Sequence, residues 1–167
     1  MTASQEDLNQ FLSQLADFLQ RCYPQGFERL TLERESDVLT PHEYIKLTLY
    51  GLHESELVLW SQDQDISVGG TFSHMHLYSA YQSLPEVMKA TVDVVFDILR
   101  GVCVSYAVFH EGESGGGGFT DKNRASLEHI AAHWATFKHI RYTVDEVHVH
   151  EWGKPVVIQR RQPPGAA

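Results

Sequence analysis

The chain has 167 residues, with 22 acidic against 13 basic side chains and a net charge of -9. Hydrophobic residues make up 43% and charged residues 21%, the balance of a chain that buries one core, and this excludes wholesale disorder. A surface of that sign repels phosphate backbones and excludes DNA or RNA binding as the main task.

The opening stretch MTASQEDLNQ has no basic region leading into an apolar core, so no signal peptide is expected. No apolar run approaches transmembrane length, and the expectation is a cytoplasmic protein without membrane contact. Cys22 and Cys103 form no CxxC motif, which removes zinc-ribbon and thioredoxin-like chemistry and leaves two buried thiols in a reducing compartment.

In chain order, Leu8, Phe11, Leu12, Leu15, Phe18 and Leu19 recur at the helical period, and Ser4 with Asp7 forms a capping box. YPQG ends that helix at Gly26. The period then changes to two. FERLTLER, EYIKLTLYG, ELVLW and DISVGG read as strands joined by short connections such as SQDQ, the pattern of an antiparallel meander.

A second helix starts at the capping box of Ser83 and Glu86 and ends at Gly101. VCVSYAVF reads as a buried strand, and the run Gly115 to Gly118 reads as a mobile loop. A third helix carries Leu127, Ile130, Ala131, Trp134 and Phe137, with Asp121 as its expected cap. DEVHVHEW and PVVIQRR form a hairpin turning at Gly153 and Lys154. The expected fold is α+β, a single domain over residues 1–162 with three helices packed on a mainly antiparallel meander sheet, and a flexible tail at 163–167.

Chemistry-bearing residues are few. His74 and His76, two apart on a strand, project on one face and have the geometry to reach a common metal. Their parity matches that of Ile66 and Val68, so an unbroken strand turns them to the core, whereas a bulge at Gly69 and Gly70 turns them away. A third ligand is missing from local spacing. His148 and His150 supply two more if their strand lies beside the first pair, which would make a divalent transition-metal site.

His129 and His133 are four apart on a helix, but Ile130 stands where a metalloprotease needs glutamate. GESGG (Gly112 to Gly116) misplaces its serine for a nucleophile elbow. Asp63 and Asp65 flank a hairpin turn and are accounted for by turn chemistry.

The segment ELVLWSQDQDISVGGTFSHMHLY, the helix LPEVMKATVDVVFDILRG, the strand VCVSYAVF and the late VHVHEWGKP together resemble small bacterial α+β proteins of the polymorphic or contact-delivered toxin immunity type. The likeness spans about Glu43 to Gln159, and the Trp-Gly turn is kept as Trp152-Gly153, with Glu151 at the preceding serine position. The resemblance implies a cytoplasmic protein with no catalytic residue and no cofactor, which covers the active site of a toxin with an acidic surface. Asp63, Asp65, His74, His76 and Trp152 are the residues expected to meet that partner. Two other classes stay open: a small metal-dependent enzyme using His74, His76, His148 and His150, and an oligomerisation module.

Overall fold

The capping box expected at the first helix forms: Ser4 Oγ accepts from the Asp7 amide and Asp7 Oδ2 accepts from the Ser4 amide. Helix α1 (Gln5–Cys22) buries Leu8, Phe11, Leu12, Leu15, Ala16 and Leu19. Leu8, Leu12 and Leu19 are fully removed from solvent, each contributing about 1.5–3 kcal/mol. Phe18, part of the same apolar period, stays half exposed and meets Phe96 edge to face. Cys22, the last helical residue, is exposed and Cys103 is half-buried, so the expected pair of buried thiols is not formed. Burial pushes the Cys103 thiol up to about 11, which leaves it unreactive.

The structure is a computed structural model describing residues 4–36, 42–62, 65–78, 82–137 and 143–161. Asp63 and the expected tail at 163–167 lie outside the described residues. The α+β expectation holds, with three α-helices and antiparallel strand pairing among the described residues, divided over two sheets. The first sheet is a meander of β1 (Arg29–Ser36), β2 (Glu43–Tyr50), β3 (Glu56–Gln62), β4 (Asp65–Gly69) and β5 (His74–Tyr78). Its inner face carries Ile45, Leu47, Leu49, Leu57, Leu59, Ile66 and Val68, all buried with the stripe of α1.

Helix α2 (Leu84–Leu99), capped by Ser83 and Glu86 as expected, covers the same core with Val87, Val95, Ile98 and Leu99. It interrupts the series of hairpins, and the strands after it pair only with one another, in the order β7-β6-β8-β9. These are β6 (Cys103–His110), β7 (Glu113–Asp121), β8 (Glu146–His150) and β9 (Val157–Arg160). A second core lies between this sheet and α3 (Leu127–Trp134), where Leu127 and Ile130 meet Val104, Tyr106, Val108, Val147 and Val149. Among the described residues no helix is long and apolar enough to cross a membrane.

Two local expectations change. The glycine run is not a loop but the middle of β7, paired with β6 from Cys103 opposite Asp121 to His110 opposite Glu113, with a register shift between Val108 and Phe109. The reason is close approach: a Cβ at Gly117 would stand 2.4 Å from the Tyr106 carbonyl oxygen and 2.6 Å from that of Phe72. Only glycine admits both backbones there. The cap of α3 is Ser126, whose Oγ accepts from the His129 amide, while Asp121 caps the short 3-10 turn Lys122–Arg124 just before it.

Candidate functional site

Alternation along the first sheet places Tyr44, Lys46 and Thr48 of β2, Glu56, Val58 and Trp60 of β3, and Asp65 and Ser67 of β4 opposite the core. Helices α1 and α2 both pack on the inner side, and among the described residues no helix covers this outer face. A cleft of about 590 Å³ runs across it, lined by Glu35, Tyr44, Lys46, Glu56, Trp60 and His74 among others. Glu35 accepts the Tyr44 hydroxyl at 2.6 Å and lies 3.6 Å from the Lys46 ammonium, so the lysine among the described lining residues is already matched.

His74 and His76 reach this face by neither of the two expected routes. The chain reverses between them and β4, with the Gly70 amide donating to the Ser73 carbonyl at 2.7 Å. The resulting hairpin sets Gly69 opposite His74 and Ser67 opposite His76. Met75 and Leu77 therefore enter the core, and the two imidazoles stand outside with ring centroids 5.1 Å apart, nearly perpendicular. His74 also lies 6.3 Å from the Trp60 ring.

His76 is oriented from below. Its Nδ1 is 2.9 Å from Asp65 Oδ2 and 2.7 Å from Ser67 Oγ. Burial holds the Asp65 carboxyl above the usual carboxylate range, with the His76 contact pulling the other way. Asp65 Oδ1 is buried without a hydrogen-bond partner among the described residues. The composition Ser-His-Asp invites a hydrolase reading, but geometry opposes it. A nucleophilic triad needs serine and aspartate on opposite ring nitrogens, so that one holds the ring while the other gives up a proton. Here both partners share Nδ1, and Ser67 is buried. The arrangement positions an imidazole and activates no serine.

The second histidine pair lies elsewhere. His150 is 5% exposed, with Nδ1 2.7 Å from Thr71 Oγ1 and Nε2 3.2 Å from Ser55 Oγ. Thr71 sits in the β4–β5 turn and Ser55 at the start of β3, so one side chain ties two turns of the first sheet to the second sheet. Ser55 Oγ also accepts from the Gly153 amide, and the turn before it holds His53 and Glu54 at φ of 53° and 59°. Such left-handed residues persist because the surrounding bonds over-determine them. Burial pushes the His150 pKa down.

His148 pairs with Glu146, which also accepts from Arg160, and its ring lies 4.3 Å from that of Phe109. Arg160 first, then His148, hold the Glu146 carboxyl below its ordinary range. The two pairs thus occupy different sheets, and among the described residues no group of three or more His, Cys, Asp or Glu is placed to hold a metal ion.

Trp152 donates from Nε1 to the Gly26 carbonyl at 2.8 Å and packs its ring on Gly51, closing the first core rather than lining the outer cleft. Of the residues expected to meet a partner, the fold brings Asp65, His74 and His76 together and separates Trp152 from them. Sequence reading missed Trp60, Tyr44, Glu35 and Glu56, whose common signal is the parity opposite to the buried leucines. The molecule is thus a two-sheet α+β protein with an open, aromatic and acidic sheet face and no assembled catalytic set among the described residues. No family model, no curated protein and no solved structure matches the chain.

Proposed function

We propose that this is a non-enzymatic binding protein that takes a basic protein partner on the outer face of its first sheet, working in the cytoplasm as the neutraliser of a toxin. The observation that carries the reading is the helix-free face itself, with the half-buried rings of Tyr44 and Trp60 beside Glu35 and Glu56. Half-buried aromatics at a cleft are the usual anchors of an interface, and flanking carboxylates steer a basic partner on a chain of net charge -9.

The test is binding and protection against the product of a neighbouring toxin gene. Trp60→Ala is expected to weaken that complex about 30-fold or more, the effect of a hot-spot residue. Glu56→Lys is expected to slow association and to flatten its salt dependence. A complex indifferent to both changes, or a chain that fails to protect cells against the toxin, overturns the proposal.

A second reading, self-association, has one observation behind it. Strand β9 is the last in its sheet among the described residues, and Val157 and Ile158 are exposed along it, with Val156 exposed just before it. An apolar strand edge is a template for pairing with another chain. Light scattering across a concentration series tests it, and a monomer at all concentrations removes it.

A further inference from the structure

We propose that a second cleft, between the start of β5, the glycines of β7 and helix α3, is a binding site for a small planar aromatic acid. The cleft has a volume of about 450 Å³ and borders the outer-face cleft at Ser73 and His74. That volume suits one or two fused rings carrying a carboxylate. The inference does not depend on the outer-face reading.

Shape comes first. Phe119, Trp134, Phe137 and Tyr106 supply aromatic walls. Gly117 and Gly118 border the cleft, and without side chains they let the Tyr106 ring lie close on the strand, its hydroxyl 2.7 Å from where a Cβ at Gly118 would stand. A flat ring can lie between these walls, with aromatic edges and faces around it.

Polar groups then decide the ligand's chemistry. The Tyr106 hydroxyl accepts from Trp134 Nε1 at 3.2 Å, and among the described residues no acceptor takes its own hydrogen. Tyr106 lines the cleft, where an incoming acceptor can take that hydrogen. The bond from Trp134 polarises the hydroxyl towards stronger donation.

His74 and His133 also line the cleft, and among the described residues neither imidazole makes a hydrogen bond. None of the described lining residues is acidic, although the chain carries 22 carboxylates. An aromatic cation finds no counter-charge here, and a plain hydrocarbon leaves the donors unmatched. A carboxylate on a ring answers both the walls and the donors.

The test uses the full chain labelled with nitrogen-15, titrated with indole-3-carboxylate and, separately, with indole. The acid is expected to move the Gly117 and Gly118 amide signals and the Trp134 indole N–H saturably, with indole at least about tenfold weaker. Tyr106→Phe is expected to lower affinity for the acid about tenfold and leave indole unchanged. His133→Ala, at an exposed helix position, is expected to weaken the acid in the same way, and it carries the decision if Tyr106→Phe disturbs the spectrum as a whole. The proposal is overturned by the absence of saturable shifts at those three signals up to about 10 mM acid, by indole binding as tightly as the acid, or by shifts centred on Trp60 instead.

Discussion

His150 Nδ1 stands 2.7 Å from Thr71 Oγ1, joining residues 79 apart in the chain and the two sheets of the fold. With Ser55 on the other ring nitrogen, the imidazole is the polar centre of the contact between the sheets.

Replacing His150 with alanine takes one hydrogen-bond partner from the buried Ser55 hydroxyl and one from the Thr71 hydroxyl, and opens a cavity between the sheets, so a loss of about 3 kcal/mol is expected in urea unfolding. The pH dependence has a defined sign. Burial lowers the folded pKa, so the unfolded chain protonates first as pH falls. His150's contribution is complete above about pH 6.5 and is lost as pH falls through the lower folded value. His150→Ala should therefore lose less stability than the wild type on moving from pH 7.5 to 5; an identical loss would show that other groups carry the dependence.

Asp65 works in the opposite sense. Its folded pKa is raised, so the neutral carboxyl is the form the fold prefers, and the preference is lost as pH rises through that value. At neutral pH the charge is held at a cost that His76 only partly offsets. Asp65→Asn, similar in shape and never charged, is expected to gain in melting temperature relative to wild type at pH 7.5 and to lose that advantage at pH 4. Calorimetry at the two pH values reads the difference; an advantage that grows in acid would contradict it.

Gly117→Ala places a methyl group against two backbone oxygens that no rotamer change can move. A loss of about 2–3 kcal/mol is expected. Gly112→Ala, at φ of 85° but with nothing within 4 Å, should cost about 1 kcal/mol from backbone strain alone. Chemical denaturation of the two variants side by side tests the order, and equal losses would return the glycine run to the status of a loop.

Treatment with a chelator is expected to leave the melting temperature and the circular dichroism unchanged. His148 and His150 are engaged with Glu146, Thr71 and Ser55, and their sheet is not that of His74 and His76. A clear drop in melting temperature with EDTA, restored by zinc or nickel, would revive the metal-enzyme alternative.

Much of the fold was legible because its signals are local. Ser4 with Asp7 and Ser83 with Glu86 announce helices through bonds spanning three residues, and the leucine periods of α1 and β2 each need only a window of one element. The β8–β9 hairpin announces itself in the same way. The turn at Gly70 to Ser73 did not, because the Gly69-Gly70 pair that opens it fits a bulge within one strand as well as a turn between two. The glycine strand was hidden for a different reason: its need for glycine comes from Phe72 and Tyr106, which no window around Gly117 contains.

The sequence by itself determined the α+β class, the caps of the first two helices, the acidic balance and the candidate histidines, all consequences of composition and of contacts within a few residues. Tertiary structure alone decided the division into two sheets, the outward face of His74 and His76, and the internal role of His150. Those depend on which strand edges meet and which side chains then share a space, and the free energy of such meetings belongs to pairs distant in the chain. His-x-His is the same motif at 74–76 and at 148–150. One copy stands in the open beside Trp60, and in the other His150 is buried as a tie between sheets, because burial is a property of the assembled neighbours and not of the motif.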